Sequence, residues 1–174
     1  ETGRMGLLQN RSPAQIVAQR LAARAIREES QSATPDARPP QSSYFSDGIQ
    51  NIVFMGMGEP LANLPNVLHA IRVLAEPAGC NFPLGQITVS TVGRIDGLRK
   101  LADLARSDPP WRNLRIAISL NAANDAVRDT LMPVNKAFPL AELRRVLGEY
   151  PLPTKGRFLI EYVLIRDLNH SPAD

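Results

Sequence analysis

The sequence predicts an α/β chain, a partial (β/α) barrel with parallel strands, and three observations carry that prediction. Four short, mostly apolar stretches, residues 49–55, 86–90, 114–120 and 157–165, have the length of buried strands. Segments with helical periodicity lie between them, which is the order of parallel βα units. The unusual polar and glycine residues follow the strands, at the end where such folds bind ligands. Four strands are too few to close a typical barrel, so the chain is expected to be part of a larger one.

Each element has its own local reason. Ser12-Pro13 reads as a helix N-cap followed by proline in the first turn, and Ile16, Val17, Leu21 and Ala25 give an apolar stripe to about Glu28. Residues 30–48 turn to Ser, Gln, Pro and Asp and read as a flexible insertion. After the first strand, Leu64, Val67, Leu68, Ile71 and Leu74 line one side of a helix over 64–74. Helices are further expected over 95–105, 125–131 and 140–150.

Composition sets bounds on function. An apolar share of 44% in 174 residues suits one domain with a hydrophobic core. No apolar run reaches the ~18 residues of a membrane span, so no membrane partner is expected. Cys80 is the single cysteine, which excludes an internal disulfide or a multi-cysteine metal site within these residues and suits a cytoplasmic location. A net charge of +3 does not by itself indicate nucleic acid. Arg20, Arg24 and Arg27 share a helix face, which fits either solvent or RNA.

Four elements carry candidate chemistry. Gly56-Met57-Gly58-Glu59-Pro60 follows the first strand; its glycines allow close backbone approach and Glu59 places a carboxylate suited to an ammonium group. A tight βα turn with an exposed glutamate satisfies the same pattern. Ser90, in Ser90-Thr91-Val92-Gly93, shares a strand face with Thr88, opposite Ile87 and Val89. Ser119 and Asn121 are two apart and expected on one face, with Ile116, Ile118 and Leu120 turned towards helices. Glu161 interrupts an apolar strand, where a carboxylate requires either a function or an ion pair. His69 falls on a polar helix side, and Cys80 lies in a loop without chemical neighbours.

Six motifs in order resemble one family: Thr2–Leu7, Arg11–Val17, Asn51–Leu61, Ile87–Gly93, Ser119–Ala122 and Met132–Lys136. They are similar to the RlmN/Cfr-type adenine RNA methyltransferases, which are radical S-adenosylmethionine (SAM) enzymes, and the motifs lie nearer the RlmN branch. The resemblance implies a radical-SAM-type barrel methylating C2 of adenine in large-subunit rRNA and tRNA, with SAM, a 4Fe–4S cluster and a reductant. It implies that Gly58 and Glu59 hold the SAM amino group, that Ser90 and Ser119 meet its polar atoms, and that Leu120 and Asn121 complete the pocket. Many members have His where Asn121 stands. The family's cluster loop, its methyl-carrying cysteine and its N-terminal accessory domain are expected outside residues 1–174. The segment is therefore expected to be inactive alone, with no catalytic or metal-ligating residue of its own. The alternatives are a non-catalytic SAM- or RNA-binding module of the same fold, and an unrelated barrel such as a phosphate-handling isomerase.

Overall fold

The computed structural model describes residues 9–33, 49–56 and 58–170. Thr2–Leu7, Met57 and most of the expected insertion, residues 34–48, lie outside them.

Helix α1 spans Pro13–Ala33. It opens with a reciprocal cap: Gln15 N–H donates to Ser12 Oγ (3.3 Å) and Ser12 N–H to Gln15 Oε1 (3.0 Å). The helix runs past Glu28, so Ser30–Ala33 of the expected insertion are helical. The reason is local: no glycine or proline interrupts the segment between Pro13 and Ala33.

The strands are β1 (Ile52–Phe54), β2 (Ile87–Thr91), β3 (Arg115–Ser119) and β4 (Leu159–Glu161). They form one parallel sheet in the order β1-β2-β3-β4. Helix α2 (Leu64–Ala75) connects β1 to β2, α3 (Ile95–Ser107) connects β2 to β3, and α4 (Asp125–Leu131) and α5 (Leu140–Gly148) connect β3 to β4. The core joins Ile87, Val89, Ile116 and Ile118 of the sheet to Leu64, Val67, Ile71, Leu98, Leu101, Leu143 and Val146 of α2, α3 and α5. Sequential strand order with these helices on one face is the arrangement of a (β/α) barrel segment and not of a doubly wound sheet. The opposite face carries Val53, Thr88, Ser90, Ala117, Ser119, Leu159 and Glu161, aligned by the register Val53↔Thr88, Ser90↔Ala117, Ala117↔Leu159 and Ser119↔Glu161. Among the described residues no helix is long and apolar enough to cross a membrane.

Three strands are shorter than the apolar pattern suggested, β3 by only one residue at each end. β1 pairs only over Ile52–Phe54, because its partner β2 begins at Ile87, after the 3-10 turn Leu84–Gln86. β4 stops at Glu161 where 157–165 was expected. Beyond it two backbone amides turn to side chains: Val163 N–H donates to Asn121 Oδ1 (3.1 Å) and Ile165 N–H to Asn169 Oδ1 (2.6 Å). Those two donors are withdrawn from a strand ladder.

Gly97 fixes the approach of α3 to the turn after β1. A methyl group at this position would stand 2.6 Å from Leu61 Cβ. Gly97→Ala is therefore expected to destabilise the fold by about 1–2 kcal/mol, overpacking outweighing alanine's better helix propensity. Urea unfolding measures it; a variant as stable as the parent would mean that Leu61 moves aside freely.

Candidate functional site

The site is built where β1, β2, β3 and β4 end. After β1, Gly56 has φ +142°, a conformation that side-chain-bearing residues rarely adopt, and its carbonyl accepts from Gly58 N–H at 2.9 Å. A Cβ added at Gly56 or Gly58 meets no atom within 4 Å. Both glycines thus border open space.

Glu59 caps the 3-10 turn Pro60–Asn63 that leads into α2. Its Oε1 accepts from Leu61 N–H (2.9 Å) and Thr91 Oγ1–H (2.7 Å), and its Oε2 accepts from Val92 N–H (2.9 Å). One carboxylate therefore ties the end of β1 to the end of β2. It has about four acceptor positions, three of which these bonds fill. The exposed-glutamate reading of this motif is excluded, since the side chain is half-buried and bonded.

Ser90 is 7% exposed and its hydroxyl donates to Glu161 Oε2 at 3.1 Å. Ser119, half-exposed on β3, donates to the same oxygen at 2.9 Å. Glu161 is therefore bound by two hydroxyls from two neighbouring strands, and no ion pair accounts for it among the described residues.

Leu120 and Asn121 depart from the alternation expected of them. β3 ends at Ser119, and Asn121 has φ +58°, so the chain leaves the sheet plane between them. Ile116 and Ile118 join the core as expected, but Leu120 is half-exposed outside it. The Leu120 backbone is engaged at both ends: its N–H donates to Glu161 O and its carbonyl accepts from Arg128 Nε, each at 2.9 Å. The Asn121 side chain reaches the exit of β4 through Val163 N–H, and its Nδ2 lies 3.5 Å from Met132 Sδ.

Sequence reasoning missed the groups behind this edge. Arg128 is fully buried and donates to Val92 O (2.7 Å), Leu120 O (2.9 Å), Ser119 O (3.3 Å) and Asn135 Oδ1 (2.5 Å). Burial pulls its guanidinium below the ordinary value, against the raising effect of Asp125 and Asp129. Asn135 relays that charge, donating to Asp125 Oδ1 (2.8 Å) and Asp129 Oδ1 (2.7 Å). The Asp125 carboxyl is held below its usual range by Leu140 N–H first and by Asn135 second. Asn169, 2% exposed, donates to Asn121 O (2.6 Å) and Val163 O (2.8 Å). Asn135 lies inside the Met132–Lys136 motif, which is a usable signal. Arg128 gave none, because a charge on a short helix reads as a solvated face.

His69 is exposed, and Cys80 is half-buried against the core. In the arginine stripe, Arg24 pairs with Glu28 at 2.7 Å and the Arg20 guanidinium lies 5.9 Å from the centre of the Phe82 ring.

Comparison with known proteins then shows what the chain is similar to. The chain is 39% identical to the dual-specificity RNA methyltransferase RlmN of Syntrophotalea carbinolica over 99% of its length, and 40% identical to a probable RlmN of Roseiflexus sp. over 98%. A crystal structure of a radical SAM methyltransferase from Sphaerobacter thermophilus superimposes with a TM-score of 0.75, at 35% identity over 98% of the chain. Over nearly its whole length the chain is similar to one segment of the RlmN-type radical SAM methyltransferases. It spans 39% and 47% of the two RlmN relatives and 44% of the Sphaerobacter chain. No protein-family model matches it. In this RlmN-type frame the four parallel strands are a barrel segment, and their carboxyl ends form one rim.

Proposed function

We propose that the chain forms the SAM-binding part of an RlmN-type enzyme that methylates C2 of adenine in large-subunit rRNA and tRNA in the cytoplasm. One observation carries this reading: two glycines facing open space adjoin Glu59 at the end of β1, on the strand-end rim that also bears Ser119, Asn121 and Glu161. The shape and the donor set both suit SAM. Gly56 and Gly58 leave room for its amino-acid end, and Glu59 keeps one acceptor position for an ammonium group. Ser90, Ser119, Leu120 and Asn121 line the neighbouring exits, Ser119 and Asn121 offering polar atoms and Leu120 an apolar side. SAM supplies the methyl group when bound. The chain's own part is to hold that ligand by its polar end and to keep the strand exits fixed around it.

The cluster is a different matter. A 4Fe–4S cluster is held by several cysteine thiolates, and residues 1–174 contain only Cys80. These residues do not fit it. RNA and a reductant are proposed as partners of the whole protein.

The test is calorimetric titration of the chain with SAM. Gly58→Val places a side chain in the open space and is expected to weaken binding at least about tenfold, or 1.4 kcal/mol, with the melting temperature unchanged. Equal affinity in parent and variant would remove the glycine cradle from the site. Absence of any SAM binding by the parent would remove the function itself.

A further inference from the structure

Several arginines of the chain are matched by partners, whereas three cations at the amino end of the sheet are not. Arg94, Arg99, Arg106 and Arg145 each pair with a carboxylate, and Arg128 is spent on carbonyls. Arg115, Lys155 and Arg157 are exposed, and their side chains make no hydrogen bond or ion pair among the described residues. Alternation puts Arg115 on the same face of β3 as Ala117, which pairs with Leu159 of β4, and Arg157 stands two residues before Leu159. The two arginines therefore come side by side at the amino ends of adjacent strands, whose spacing is about 4.8 Å. Lys155 lies in the turn that feeds β4, closed by Gly156 N–H donating to Pro153 O at 2.7 Å.

Arg112 extends this group from the 3-10 turn Pro109–Asn113 that leads into β3. Its Nε donates to Ala105 O at 3.1 Å, and its terminal NH2 groups have no partner among the described residues. Arg72 is close by, its guanidinium 5.5 Å from the centre of the Trp111 ring, but it lies in the last turn of α2, where the helix dipole favours a cation. That account does not reach Arg115, Lys155 and Arg157, which belong to no helix. The opposite rim has the other sign: Glu59, Asp96, Glu161 and Asp167 lie there, and Arg94 is held by Asp96 through two hydrogen bonds. A lone surface cation is satisfied by water. Like charges gathered from two strands and a turn repel one another until an anion lies across them.

We infer that the amino end of this sheet is a docking surface for an RNA backbone, with Arg115, Arg157, Lys155 and Arg112 donating to phosphates. A polyanion relieves the crowding of like charges, and a guanidinium fork meets two phosphate oxygens at once. The inference rests on the RNA-methyltransferase reading for the kind of polyanion, and it places the contact at the end of the sheet away from the proposed SAM site. Phosphate contacts fix the position of a nucleic acid without reading its sequence, so this surface holds the RNA and leaves the choice of base to the other end.

The experiment follows binding of a fluorescein-labelled RNA stem-loop to the whole chain by anisotropy across a salt series, with SAM calorimetry in parallel. Arg115→Gln/Arg157→Gln is expected to weaken RNA binding at least about tenfold and to flatten the slope of log affinity against log salt by roughly 1.4–1.8. Lys136→Gln/Arg166→Gln removes the same charge from exposed positions at the other end and is expected to change affinity less than about threefold. Both are surface changes, so melting within about 3 °C of the parent and unchanged SAM affinity are expected. A loss in the second pair as large as in the first would show an effect of net charge alone, and no loss in the first would show that the phosphates lie elsewhere; each overturns the inference. Displacement of the RNA by poly-glutamate at equal charge would assign the surface to an acidic protein segment and overturns it too. A parent chain that binds SAM but not RNA overturns the inference and leaves the SAM reading standing, whereas RNA binding through these residues without SAM binding does the reverse. If Arg115→Gln melts early, Lys155→Gln/Arg157→Gln, outside the sheet, carries the same expectation and is equally decisive.

Discussion

Arg128→Met is expected to lower the stability of the chain by about 3–5 kcal/mol, measured as a fall in the urea midpoint at unchanged slope. The side chain is fully buried and serves three backbone carbonyls and one side-chain amide. The carbonyls lie where the sheet ladder has run out: β2 and β3 pair last at Thr91↔Ile118, while the bonded groups are Val92, just past β2, and Ser119 and Leu120 at the exit of β3. The guanidinium takes the place of a ladder for these exits. Methionine fills much of the volume but leaves the acceptors buried and unpaired, which is the costly half of losing a hydrogen bond. Loss of the guanidinium's own burial cost offsets part of this. Arg128→Lys is expected to recover less than half, because one ammonium cannot span the same acceptors as the planar fork. A methionine variant within 1 kcal/mol of the parent would mean that the exits hold themselves.

Glu59→Gln is expected to cost about 2–3 kcal/mol in stability and to weaken SAM binding at least about tenfold. The loss follows from how the three donors are divided. Leu61 N–H and Thr91 Oγ1–H go to one oxygen and Val92 N–H to the other. Whichever way a glutamine amide is turned, its NH2 faces an N–H that previously met oxygen. Thermal unfolding and SAM calorimetry read the two effects separately. A variant that is destabilised but binds SAM as tightly as the parent would make Glu59 a structural tie alone. Its neighbour Thr91 is part of the same arrangement, since its oxygen also accepts from Gly93 N–H at 3.1 Å.

The sequence by itself determined the element order, the parallel βα class and the family resemblance. Those properties rest on periodicity and on residue types in fixed order: the apolar stripe of α2, the Ser12-Pro13 start of α1 and the glycines after β1 are all local. Alternation along a strand was equally legible, so Ile87, Val89, Ile116 and Ile118 fell on the core face as expected.

Only the tertiary structure decided what the polar residues do. Alternation fails at Asn121 because a left-handed backbone angle takes the chain out of the sheet, and no periodicity encodes that turn. The partners of Glu161 are 71 and 42 residues away in sequence, so its choice between an ion pair and a role at the rim was open until the strands were aligned. Arg128 shows the same limit most plainly: it reaches 36 residues back to Val92, and its burial depends on three segments closing around it. Local residues fix local geometry, whereas the fate of a charge depends on what the rest of the chain brings to it.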